Sequence, residues 1–418
     1  MTDQYSDSAL MSTNGLLYKM PQPLSVCVNR TFKKEYAQRQ EYTAGSTIAF
    51  DVNSGSSYVD PASCMLILKV IFVCETNGAN DANEVSFGTG TAANLISEIR
   101  LLSKNGCEVD RTQSADVIAK IMTDYMVSTD GLGMLKNAGY GRTFDSYGGR
   151  VHTFAIPLSL ISGFFRPTVK GMKIPAGLMA GMRIEFILNA NPKRALTITA
   201  GPGTDISYVI LSPELLFSCM DLNDPTQAVL MRNSAETGLE YTYPSYFPSP
   251  FGGRQSQFNE QVKKSVSQCT RVFCTVYDTS GPNNVMDESK DGYKSINAVH
   301  LRNYQIRCGS NYYPTKAVDS IAEALYIAYS TFDKSRDLMT NPCRVRYEEY
   351  DVGGKFLIGH PLETDDRLNL SGIPLNNSSV LELRADFANP NNEFRSCELI
   401  IEFISVARTF LNKTTLKI

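Results

Sequence analysis

Hydrophobic and polar residues alternate with a period of two along most of the chain. Ile48, Phe50 and Val52 interleave with Thr47, Ala49 and Asp51, and Met182, Ile184, Phe186 and Leu188 interleave with Arg183 and Glu185. The same beat returns late in the chain. Leu381, Leu383, Ala385 and Phe387 alternate with Glu382, Arg384 and Asp386, and Cys397, Leu399, Ile401 and Phe403 alternate with Glu398 and Glu402. Successive strand side chains point to opposite faces, so this pattern predicts antiparallel strands with one buried and one wet face. Gly, Asn, Asp and Pro gather between the runs, as at Asn77–Asn83, Gly88–Gly90, Gly201–Gly203 and Gly281–Asn284, where turns are expected.

Two segments change to helical spacing. The first, about Ser114–Ser128, carries the stripe Val117, Ile118, Ile121, Met122, Tyr125 and Met126. The second opens on Ser320-Ile321-Ala322-Glu323, a capping-box pattern in which hydroxyl and carboxylate satisfy open amides of the first turn. Its stripe is Ile321, Ala324, Leu325, Ala328 and Phe332. Both stripes are expected to pack against a sheet.

The order of elements repeats. In the first half a strand at about Leu95–Ser103 precedes the helix, then come the strand Val151–Leu158, Ile174-Pro175, and strands at Met182–Leu188 and Ile206–Phe217. In the second half a strand at about Val299–Cys308 precedes the helix, then Phe356–Leu362, Ile373-Pro374, and strands at Val380–Phe387 and Glu398–Val406. Ser114 to Ser320 spans 206 residues, Pro157 to Pro361 spans 204 and Pro175 to Pro374 spans 199. A nearly constant offset near half the chain length indicates two copies of one topology.

The expected fold is therefore all-β: two tandem eight-stranded antiparallel jelly-roll sandwiches, each with a short helix in a loop. The expected division is an N-terminal arm over 1–40, a first jelly roll over 41–220, a linker over 221–233, a second jelly roll over 234–410 and a C-terminal tail over 411–418. Asp221, Asn223, Asp224 and Pro225 make the linker turn-rich. The polar arm and the tail carry little core-forming pattern, and both are expected to order only against neighbours or a particle interior.

Composition adds limits rather than a function. The chain has 418 residues, 43% hydrophobic and 20% charged, and its 20 Phe and 21 Tyr can fill sandwich interiors in the absence of Trp. A net charge of −3 and the lack of a basic block argue against long-range nucleic-acid binding. Arg30, Lys33, Lys34 and Arg39 form the densest basic patch, read as a solvated or intersubunit segment with an acidic partner as the alternative. Residues 1–20 lack a signal-peptide pattern, and the longest apolar run, Met65–Cys74, is broken by Lys69 and has strand length. Ten scattered Cys without a CxxC pair fit reduced thiols made in a cytosol, and the N-x-S/T triplets at Asn29, Asn369, Asn376, Asn377 and Asn412 read as chance.

Chemistry finds no constellation. His152, His300 and His360 are far apart, with no paired ligands at short spacing for zinc. HExxH, GxSxG and Walker-type motifs are absent. Gly88-Thr89-Gly90 and Gly201-Pro202-Gly203 read as turns. Glu348-Glu349, Asp351 and Asp365-Asp366 read as solvated loop carboxylates, with a calcium loop as the alternative. Cys107 and Cys308, at similar places in the two copies, read as half-buried or buried thiols. The expected catalytic, cofactor-binding and metal-binding sets are empty, no cofactor is expected, and the chain is expected not to be an enzyme.

Several ordered fragments carry a resemblance. SGSSYVDP at Ser54–Pro61 is followed by MLILKVIFVC, then TGTAANLISEIRLLSKNGCEVDR and AIPLSLISGFFRPTVKGMKIPAGLMAGMRIEFIL. The second half reads LRNYQIRCGSNYYPT and FLIGHPLETDDRLNLSGIPLNNSSVLELRADF. Together these resemble the double jelly-roll major capsid proteins of eukaryotic DNA viruses, in particular the polinton, adintovirus and polinton-like virus group, over most of residues 40–410. The resemblance implies a coat protein that self-assembles as pseudo-hexameric homotrimers into an icosahedral shell, located in the virion after synthesis in the host cytoplasm. It implies capsomer–capsomer contacts, penton and minor capsid partners, and weak contact of the N-terminal arm with genome or inner membrane. The segment YTYPSYFPSPFGG, Tyr241–Gly253, presents aromatic residues and prolines where a strand is not expected to continue; it reads as an intersubunit contact or as packing within the second domain. A jelly-roll carbohydrate- or receptor-binding protein is the alternative reading, and a sandwich-type hydrolase a third.

Overall fold

In the computed structural model the described residues are 27–76, 79–80, 84–128, 131–146, 149–169, 171–198, 204–222, 230, 233, 236, 238–278, 295–332, 345–363, 371–376, 380–388, 395–410 and 413–417. The principal strands of the first half are β1 (Cys27–Tyr36), β2 (Thr47–Asp51), β3 (Tyr58–Thr76), β4 (Ile96–Leu102), β5 (Glu108–Gln113), β6 (Val151–Pro157), β7 (Arg183–Leu188) and β8 (Thr204–Leu222). Those of the second half are β9 (Leu239–Gly253), β10 (Gln257–Val262), β11 (Val266–Asp278), β12 (Leu301–Cys308), β13 (Asn311–Val318), β14 (Ile358–Pro361), β15 (Leu381–Phe387) and β16 (Arg395–Phe410). Helix α1 (Ala115–Tyr125) follows β5, and α2 (Ile321–Phe332), then α3 (Tyr347–Asp351), follow β13.

The first sandwich faces a sheet of order β1-β8-β3-β6 against one of order β2-β7-β4-β5; the second faces β9-β16-β11-β14 against β10-β15-β12-β13. Adding eight to each label of the first half yields the second, so the two halves share one topology. The fold is all-β, two tandem jelly rolls. The offsets read from the sequence mark equivalent places: Ser114 and Ser320 precede α1 and α2, and Pro157 and Pro361 end β6 and β14. Ile174 bridges to Val59 on β3, and Ile373 pairs with Cys269 on the equivalent β11.

Alternation built these strands. On β7, Ile184, Phe186 and Leu188 are buried while Arg183, Glu185 and Ile187 are half-buried. Phe50 meets Phe186 edge-on at 5.9 Å across the paired β2 and β7, and Phe72, Phe87, Phe144 and Phe154 pack edge-on or tilted at one end of the first core. Glu323 N donates to Ser320 Oγ at 3.3 Å, the hydroxyl half of the capping box at α2.

Four expectations change. Residues 27–36, placed in the arm, form β1 and pair with β8 from Cys27 to Tyr36. Their pattern was weak because one face of this edge strand is open and carries Arg30, Phe32, Lys34 and Tyr36. The backbone of Lys413–Lys417, placed in the tail, forms a hairpin with β16. Tyr241–Gly253, where no continuous strand was expected, is strand β9, paired with β16 along its whole length. Pro244, Pro248 and Pro250 sit at even positions of this edge strand, so their missing amides fall on the side away from β16. Finally, β16 has no wet face: Glu398 is 6% exposed and Glu402 3%. Residues 1–26, 223–229, Gly201–Gly203 and Asp365-Asp366 lie outside the described residues.

Candidate assembly interface

The two sandwiches meet along a buried seam, built from β5, α1 and residues 163–168 of the first and from β9, β11 and β16 of the second. Tyr241 Oη donates to Phe164 O at 2.6 Å and Tyr243 Oη to Val109 O at 2.7 Å. Thr168 N donates to Thr242 O at 3.1 Å. Aromatic side chains of β9 thus reach into the first core, where Tyr241 and Tyr243 belong, while Tyr246 belongs to the second. The chains approach closely enough that a Cβ on Gly163 would collide with the Pro244 carbonyl.

Helix α1 is the centre of the seam. All eleven of its residues are buried. Ala115 and Ala119 pack in the first core, but Val117, Ile118, Ile121, Met122 and Tyr125 pack in the second. Tyr125 lies 5.3 Å from the Phe332 ring and donates to Lys355 O at 2.6 Å. The stripe that was expected to cover a sheet does so, and much of what it covers belongs to the other domain.

Charges in the seam are placed in pairs, as burial requires. Arg271 lies 2.9 Å from Glu402, and Arg166 of the first sandwich adds a second cation 3.8 Å away. Asp116 accepts from Asn189 Nδ2 at 3.0 Å and lies 3.3 Å from Arg194. Lys120 and Asp124 pair within α1, and Lys355 stands 4.0 Å from Asp124 and 2.9 Å from Glu349. Asp116, Lys120 and Asp124 recur every fourth residue of a largely apolar helix; that spacing was the signal in the sequence that α1 has a second, polar set of partners.

Two seam carboxyls hold their protons to unusually high pH. Burial lifts Glu398 to about 7, with Asp116 adding to the rise while Ser114 and Arg194 oppose it. Burial lifts Asp110 to about 6 although Ser245 and Ser162 donate to it at 2.8 and 3.0 Å. Asp110 and Tyr246 line a cleft of 290 Å³ at the mouth of the seam, with Glu108, Arg111 and Lys264 among its polar walls.

The residues singled out for chemistry are not brought together. His152 sits 5.7 Å from the Phe72 ring and 5.2 Å from Phe144; His360 packs 5.6 Å from Tyr313, and burial lowers its pKa; His300 ends a turn before β12. Among the described residues no group of three His, Cys, Asp or Glu side chains could hold a metal. Glu349 accepts from Arg346 N at the start of α3. Gly88 has a positive φ of 56° in its turn. Cys107 is exposed and Cys308 buried, with its thiol pKa raised by burial. Three of the four basic-patch side chains are tied down: Arg30 to Asp60 at 3.1 Å, Lys33 to Ser54 O at 3.4 Å and Lys34 to Glu214 at 3.0 Å, while Arg39 is exposed.

No family model and no curated protein matches this sequence. Solved structures do. The Faustovirus major capsid protein superposes with a TM-score of 0.65 at 8% identity, covering 94% of this chain and 92% of that one. A chain of the PBCV-1 virus capsid gives 0.60 at 9% identity, covering 96% and 99%. The mavirus major capsid protein gives 0.51 at 10% identity, covering 96% and 92%. Across that distance in sequence the shared feature is the fold, the double jelly roll of these capsid proteins of DNA viruses and virophages.

Proposed function

We propose that this chain is a major capsid protein, acting without catalysis, that assembles as pseudo-hexameric homotrimers into an icosahedral viral shell. One observation carries the reading: two sandwiches of identical topology are locked side by side by a buried seam, in a fold shared over at least 92% of their length with viral capsid proteins. A rigid pair of like units is one third of what a six-cornered tile needs, since three copies under closed threefold symmetry supply six sandwiches. Six-cornered tiles cover a flat facet without gaps. In this reading the chain resides in the virion, its first partner is itself, and penton and minor capsid proteins complete the shell. The arm before β1 is the segment suited to weak contact with genome or inner membrane.

Light scattering on the purified chain tests the oligomer. The expected species has three times the 46.2 kDa chain mass, and concentrated samples show shells or hexagonal tiles by electron microscopy. A strictly monomeric species across a wide concentration range overturns the proposal.

A further inference from the structure

The seam between the sandwiches holds one positive charge too many. Arg166 comes from the first sandwich, and Arg271 on β11 and Glu402 on β16 come from the second. Two cations and one anion leave this cluster at a net +1. Glu402 is 3% exposed and Arg271 5%, and the Arg166 side chain is 24% exposed. Burial holds Arg166 down to about 10, with Glu402 opposing the fall and Arg271 adding to it, so the group is charged at neutral pH. Among the described residues no further charged side chain pairs with these three.

The cluster is short of acceptors as well. A guanidinium is all donor and no acceptor. Arg166 Nη1 donates to the thioethers of Met122 and Met126 at 3.2 and 3.3 Å, and thioethers are weak acceptors. Glu402 Oε2 stands 3.8 Å from Arg166 Nη2, too far to serve. Arg271 Nε lies 2.9 Å from Glu402 Oε1 but out of line, and neither it nor Nη1 finds an acceptor. That oxygen already accepts from Thr270 Oγ1 at 3.1 Å. Rings close other sides: Arg166 lies 5.8 Å over Tyr246, and Arg271 lies 5.6 Å over Phe332 of α2. Tyr246, in direct register with Glu402, also lines the cleft of 290 Å³. A route from solvent therefore comes within one side chain of the cations.

We infer that Arg166 and Arg271 together hold a small monovalent anion of the halide class between the two sandwiches. The charge arithmetic selects the valence. One added negative charge brings the cluster to neutrality, as burial favours, whereas a dianion such as sulfate overshoots. Ordered water satisfies donors but leaves the excess charge in place. Buried N–H groups without acceptors select the sign, since only an acceptor answers them. Held by one arginine from each sandwich, the anion is a non-covalent clasp across the seam. This clasp belongs to the single chain and does not depend on the capsid reading.

The test follows the melting midpoint of the full chain while sodium chloride replaces sodium gluconate, a bulky monoanion, at constant ionic strength. A rise of about 1–2 °C is expected once chloride stands about tenfold above its dissociation constant. Bromide is expected to reproduce it. Arg166→Gln, which cancels the excess charge, is expected to lose the response, while Arg30→Gln on the exposed side of β1 keeps it. Crystals grown in bromide are expected to show an anomalous peak between Arg166 and Arg271. That reading uses the unaltered chain, so it decides the matter even where Arg166→Gln fails to fold. A flat midpoint, a response that Arg166→Gln retains, or bromide crystals without a peak at the pair each overturns the inference. A response to sulfate and none to chloride overturns the valence.

Discussion

Glu398 illustrates what burial does to a single residue. An exposed glutamate is charged above pH 4.5, but this one holds its proton to about 7. The folded state therefore binds a proton that the unfolded chain has released, so its contribution is full below the ordinary carboxyl range and is lost as pH rises through about 7. Asp110 acts in the same direction over a slightly lower window. Glu214 acts in the opposite direction, since hydrogen bonds from Lys69 and Lys34 lower its pKa and its contribution is lost on acidification. Denaturant midpoints are thus expected to fall between pH 5 and 8, and Glu398→Gln to flatten that fall. An unchanged slope in the variant counts against a protonated Glu398. Tyr243→Phe removes the hydroxyl that satisfies Val109 O. It is expected to cost about 1–2 kcal/mol in urea titration, because a buried carbonyl loses its donor.

At the scale of elements, α1 was legible as a helix and illegible as a seam. Its apolar stripe fixed the spacing, but local sequence holds no record of which domain that stripe touches. Within α1, Lys120→Ala leaves Asp124 buried with Lys355 4.0 Å away, and a loss of about 3 kcal/mol is expected. The double change Lys120→Met with Asp124→Leu is expected to recover most of it, read again from denaturant midpoints. Strand β16 presents the same lesson. Its glutamates alternate with apolar residues as on a half-wet strand, yet the first sandwich covers the outer face and pairs Glu402 with Arg271 and Arg166. Strand β9 was obscured by its prolines, which an edge strand tolerates at one parity. Gly163→Ala is expected to push β9 off residues 163–165 and lower the melting midpoint, where Gly133→Ala, with open space around it, does not.

For the whole molecule, the seam predicts that the two halves stay together without a covalent link. A protease site placed within 223–229 and cut after folding is expected to leave both halves co-eluting at the mass of the intact species. Separation of the halves on a sizing column in mild buffer would mean that the seam is weaker than its burial implies.

The periods and the repeat were local properties, so the sequence alone determined that this chain is built of strands, that it holds two copies of one order of elements, and where the two helices interrupt them. Alternation depends only on neighbours along the chain, and so does a capping box. The tertiary structure alone decided that β1 and the hairpin at 413–417 belong to sheets, and that α1 serves the other domain. Those facts depend on which surfaces meet across more than a hundred residues of chain, and such meetings leave no periodic trace in either partner.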